Sequence, residues 1–80
     1  MQEFIWIDWN TWKISTHGLA EGEVEFAWHH RQGELEKVHP KHGTYWESFG
    51  RCPSGRPILM MWRYDVDRDG DTKVFVVNAY

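Results

Sequence analysis

From Thr44 to Tyr80 three apolar runs follow one another, "TYWESFGR", "RPILMMWRY" and "TKVFVVNAY", with "CPSG" and "DVDRDGD" between them. Each run has strand length and is rich in aromatic and β-branched residues, and each gap carries residues that reverse a chain. The pattern predicts two successive hairpins, a three-stranded antiparallel meander. Ile58 to Trp62 and Val74 to Val77 are apolar at successive positions. That suits inner strands with helices over one face and something else over the other.

The first half of the chain supplies the helices. "EFIWID" reads as a short strand, after which Asp8 stands where an N-cap would start a helix. Trp9 and Trp12 share one side of that helix and are expected to face the sheet, while Asn10, Lys13 and His17 follow one another along another side. His17 falls in the last turn, and Gly18 suits the left-handed position that ends it. Ala20, Val24, Ala27 and Trp28 recur at helical spacing in a second helix, whose first turn holds Glu21 and Glu23. From Arg31 to Gly43 the chain is polar and broken by Gly33, Pro40 and Gly43, so it reads as a loop with at most a short edge strand at "ELEKV".

Eighty residues support one core, so the expectation is a single domain over 1–80, with six tryptophans carrying much of the buried area. Cys52 is the single cysteine. An internal disulfide is therefore excluded, and the expected setting is reducing, the cytoplasm. No apolar run approaches the roughly 20 residues of a membrane span, and Glu3 and Asp8 fall where a signal peptide would be basic and then apolar. A net charge of −3 argues against a protein that coats nucleic acid without specificity. The charge is uneven, however: Arg51, Arg56 and Arg63 lie in a stretch, 51–64, with no acid at all.

The pattern "WN..K...HG", then "E.E" before a large apolar residue, later "GR...GRPIL" and "VFVVNA", resembles the BrnT-like type II toxin family. The matching residues are Asn10, Lys13, His17, Gly18, Glu23, Val24, Gly50, Arg51, Gly55, Arg56, Leu59 and Ala79. The resemblance implies a RelE/ParE-like ribonuclease toxin fold that binds a ribbon-helix-helix antitoxin and cleaves RNA without a metal. The expected fold class is therefore α+β: a short N-terminal strand, two short helices and a three-stranded meander, RelE-like without the C-terminal helix that such toxins carry after the last strand. The alternative on the same fold is a non-enzymatic protein-protein interaction domain, binding a partner or a second copy as a homodimer.

Cleaving RNA through its 2′-hydroxyl needs a base, an acid and cations around the phosphate. His17 is the candidate base or acid, with Lys13 one turn before it and Arg63 as the cationic partner. Arg51, Arg56 and Asn10 are candidates for holding RNA or a protein partner. Each has a plainer reading too. A histidine in a last turn interacts favourably with the helix dipole, and exposed lysines and turn arginines are often only solvated. Arg63, by period two, leaves its strand on the side of Leu59 and Met61, where a long cation needs a partner or a route to water.

No cofactor or metal is expected. His29, His30, His39 and His42 invite a zinc site, but they lie at a helix end and in a loop, whereas zinc takes ligands held on fixed elements. Asp65, Asp67, Asp69 and Gly70 match the first positions of a calcium loop, yet the twelfth is Val76 in place of glutamate. The Asp-Gly pair is better read as a hairpin turn. Cys52 has no companion base in its local sequence and reads as a turn thiol.

Overall fold

A computed structural model describes residues 2–80. Its elements are β1 (Phe4–Ile5), α1 (Asp8–Ser15), α2 (Glu21–His29), β2 (Gln32–His39), β3 (Gly43–Arg51), β4 (Pro57–Val66) and β5 (Thr72–Ala79). They form an α+β domain in which one five-stranded sheet runs β1-β5-β4-β3-β2. β1 pairs with β5 in parallel, and the remaining neighbours are antiparallel.

The meander has four strands, one more than expected. The segment read as a loop with a short edge strand at "ELEKV" is β2 over its whole length at the sheet edge; its eight residues are all exposed and pair with β3 through Leu35↔Glu47 and Lys37↔Tyr45. A bulge at Gly33–Glu34 interrupts the register. With Glu34, Glu36 and Lys37 it guards this free edge against pairing with another strand.

Alternation divides the sheet into two faces. Ile58, Met60 and Trp62 of β4, with Val74 and Val76 of β5, point toward the helices and join Ile14, Val24, Ala27 and Trp28 in one core. Trp62 is its centre: Trp28 meets it edge-on at 5.3 Å, and its indole N–H donates to buried Ser48 at 3.0 Å. α2 can lie against β3 because residue 50 is glycine; a Cβ there would collide with the Ala27 carbonyl oxygen. Near the end of β5 two residues, Val77 and Asn78, stand opposite Met61 alone. That extra residue returns Ala79 to the core side.

α1 differs from expectation in what it buries. Trp9 and Trp12 are 47% and 66% exposed, and the inward residues are Asn10 and Ile14. The cause lies at the sheet edge, where β1 covers only two residues of β5. Asn10 continues the pairing: its Nδ2 donates to the Ile5 carbonyl at 2.9 Å and to the Val76 carbonyl at 3.1 Å. Its Oδ1 accepts the Ile7 amide at 2.8 Å, so Ile7 is the N-cap and Asp8 begins the first turn. At the other end Gly18 has φ +75 and the Leu19 amide reaches the Ile14 carbonyl at 3.1 Å, the 6→1 bond of a Schellman turn.

Candidate functional site

The face away from the helices carries Tyr45, Glu47 and Phe49 of β3, Leu59, Met61 and Arg63 of β4, and Phe75 of β5, as the pairing register requires. α1 lies along the β5 edge with Asn10 plugged into it, so Trp9, one residue earlier, swings round to this face. Its indole stacks on Phe75 at 6.0 Å with the planes 18° apart. Lys13, four residues on and thus on the same side of the helix, holds its ammonium 4.2 Å from the Trp9 ring centre. The Arg63 guanidinium lies 5.0 Å from the centre of Phe75. Two cations therefore flank a pair of stacked rings.

Beside this stack is a concavity of about 290 Å³, lined by Trp9, Tyr45, Met61, Arg63, Phe75 and Val77 and closed at one end by the β2–β3 turn with His39, His42 and Gly43. The two imidazoles sit 4.6 Å apart. His39 Nδ1 accepts the amides of Lys41 and His42 at 3.0 and 3.2 Å, which fixes the turn and puts the ring proton on Nε2. A mostly apolar hollow with a few polar groups at its rim is the usual form of a binding site.

The expected site residues separate into three places. Lys13 and Arg63 belong to the concavity's flanks. His17 lies elsewhere: its ring packs on Tyr80 at 5.4 Å, and its carbonyl accepts Arg56 Nη2 at 2.8 Å. The Tyr80 backbone bonds Leu59, four residues before Arg63 on β4, so His17 packs beside a different part of the strand from Arg63, and His17 is not among the residues that line the concavity. Arg51 donates to the Gly55 carbonyl within its own hairpin turn at 2.9 Å, and Arg56 ties that turn to the end of α1. Asn10, expected at a surface for RNA or a partner, is completely buried and bonded to the edge of the sheet. Here the structure corrects the expectation.

The other candidate clusters have structural partners. Asp67 Oδ1 accepts the amides of Asp69 and Asp71, both at 2.9 Å, and Oδ2 meets the Lys73 ammonium at 2.6 Å. The lysine and the amides hold the Asp67 carboxyl below the usual carboxylate range, while Asp67 and Glu3 hold the Lys73 ammonium above the usual lysine value. Asp67, Asp69 and Asp71 lie within 4.8 Å of one another, an arrangement the turn itself accounts for. The histidines form two separate pairs: His29 packs edge-on against Phe4 at the end of α2, where His30 Nδ1 contacts the Phe26 carbonyl, while His39 and His42 sit in the β2–β3 turn. Burial pushes the Cys52 thiol up, reinforced by Glu23 and opposed by Arg56, so the reactive thiolate is disfavoured.

Trp9, Tyr45, Met61 and Phe75 were not among the sequence candidates, and His39 and His42 were weighed only as zinc ligands. A signal for Tyr45 and Met61 was present, because Leu59-Met61-Arg63 and Tyr45-Glu47-Phe49 alternate onto one face. No family model matches the chain, and no curated protein or solved structure matches it either.

Proposed function

We propose that this chain is a non-enzymatic recognition domain that binds a protein partner with the uncovered face of its sheet, anchored at the Trp9–Tyr45–Met61–Phe75 concavity. The supporting observation is the pairing of two facts about one surface. An apolar hollow opens on a face that no element among the described residues covers, while the candidate acid-base group His17 stands apart from Arg63. Exposed apolar hollows of this kind mark binding sites. No helix is long and apolar enough to cross a membrane. The buried, unpaired Cys52 supports a reducing setting, the cytoplasm.

The test is affinity capture from the cell that encodes the protein, using wild type and Met61→Glu side by side. A partner recovered by wild type and lost with the variant is the expected result. Equal recovery by both, or by neither, overturns the reading.

The second reading is a metal-independent ribonuclease related to the BrnT-like toxins, with a ribbon-helix-helix antitoxin as its partner. It is favoured by one observation: two imidazoles and Arg63 line the same hollow, together with rings on which bases can stack. Growth arrest on expression, relieved by Arg63→Ala and accompanied by cut RNA, is what this reading requires; unaffected growth and intact RNA dismiss it.

A further inference from the structure

We infer that the concavity takes a single aromatic side chain flanked by carboxylates, so that the partner of the uncovered face is an acidic segment with one ring as its anchor. This rests on the recognition reading above and gives its partner a chemistry. At about 290 Å³ the hollow is at the small end of ligand sites, enough for one ring and its stem. Its lining is largely aromatic: Trp9 and Phe75 are stacked 18° from parallel, and Tyr45 stands two strands away on β3, across β4. Met61 and Val77 complete the lining, and a thioether against a ring edge adds to the contact.

The rim supplies donors in excess of acceptors. Lys13 has its ammonium over Trp9 and forms no ion pair among the described residues. Arg63 meets a carboxylate, that of Asp65, only at 3.5 Å. His39, with Nδ1 committed to the turn, has Nε2–H left to donate. Lys37 occupies the next strand, opposite Tyr45. Against these stand Asp65, whose Oδ1 already takes the Val66 amide, and Glu47, across from Met61. On a chain of net charge −3, this local surplus of cations around an apolar hollow is complementary to an acidic segment. An RNA strand also brings rings and charge, but its phosphates repeat at every step and call for a basic track, whereas the surplus here is confined to one hollow.

The experiment titrates the full chain, ¹⁵N-labelled, with N-acetyl-Glu-Trp-Glu-amide, N-acetyl-Lys-Trp-Lys-amide, N-acetyl-Glu-Ala-Glu-amide and a short oligo-uridylate. The acidic tryptophan peptide is expected to shift the Trp9 indole N–H and the amides of Tyr45, Met61 and Val77, binding ~tenfold tighter than the other two peptides. Lys13→Gln combined with Arg63→Gln, both at half-buried positions, removes its advantage over the lysine peptide and leaves the fold intact by the dispersion of the same spectrum. Equal binding by the lysine peptide, tighter binding by the oligo-uridylate, or shifts that map to another surface overturns the inference. If the acidic peptide fails while native capture still depends on Met61, this inference falls and the recognition reading stands; if capture is also indifferent to Met61, both fall.

Discussion

On β4, Ile58, Met60 and Trp62 are at most 2% exposed, whereas Leu59, Met61 and Arg63 alternate with them and keep part of their surface in solvent. The same backbone supplies both sets, so composition does not separate the two faces. What separates them is the cover. α2 rests on Gly50 and closes one side of the sheet, and on the other side Trp9, with Lys13 over its ring, reaches round from α1 to lie on Phe75. Phe75 is consequently 8% exposed on a face otherwise open. The covered face is built for stability and the uncovered one for contact, so a change should register in different measurements depending on its side.

The largest effect is expected at the centre of the covered face. Trp62→Ala removes a ring packed against Trp28, Tyr64 and Trp46 and leaves the Ser48 hydroxyl without its donor. Truncations of this size in a closed core cost about 3–5 kcal/mol, which for so small a domain approaches its whole stability. Urea unfolding gives the number. A loss below about 1 kcal/mol would mean that the helices do not seal this face, and the contrast between the faces would collapse.

Asn10→Asp comes next and probes the seam where the faces meet. The substitution replaces an amide that donates to the Ile5 and Val76 carbonyls with a carboxylate facing the same two oxygens, fully buried. A cost of about 2–4 kcal/mol is expected, with Asn10→Ala milder because it introduces no charge. Hydrogen exchange sharpens the result: the Val76 and Phe75 amides should lose protection first. If Asn10→Asp melts like wild type, the edge of β5 is not held by this side chain.

The seam is also where sequence reasoning stopped. Two of the hairpins were legible because their turn residues and apolar runs are local signals, and Gly18 was legible for the same reason. β2 was legible only as a short edge strand at "ELEKV" and not over its full length, since a strand exposed along its whole length shows no alternation of apolar and polar residues. On α1 a hydrophobicity criterion picks Trp9 and Trp12 as the buried pair, yet the structure buries Asn10. The need it answers, an unpaired carbonyl on Val76, lies 66 residues away in the chain. Of the candidate site, Arg63 and its face followed from period two. Trp9 did not, because its position depends on how Asn10 seats the helix.

Met61→Ser tests the uncovered face in the complementary sense. The side chain lines the hollow and is already partly in solvent, so its loss should change unfolding free energy by no more than about 1 kcal/mol while removing most partner capture. A large drop in stability would show that this face is closed in solution, by a second copy or by a segment of the chain. In that case melting temperature should also rise with protein concentration for wild type and not for the variant.

The smallest effect concerns the Asp67–Lys73 pair at the β4–β5 turn. The folded-state value of Asp67 is depressed by the Lys73 hydrogen bond and by turn amides. Its contribution is therefore present above the ordinary carboxylate value of 3.8 and lost as pH falls through the lower folded value. Lys73 is raised by Asp67 and Glu3, so its contribution is present below the ordinary lysine value of 10.5 and fades as pH climbs through the raised one. Both groups are near solvent, and salt screens them. Melting curves recorded from neutral to acid should show wild type losing more than Asp67→Asn, with the gap closing in high salt. The turn sits at the end of both faces and belongs to neither, so partner capture by Asp67→Asn at neutral pH should match wild type; a loss there would extend the binding surface beyond the hollow to the acidic turn.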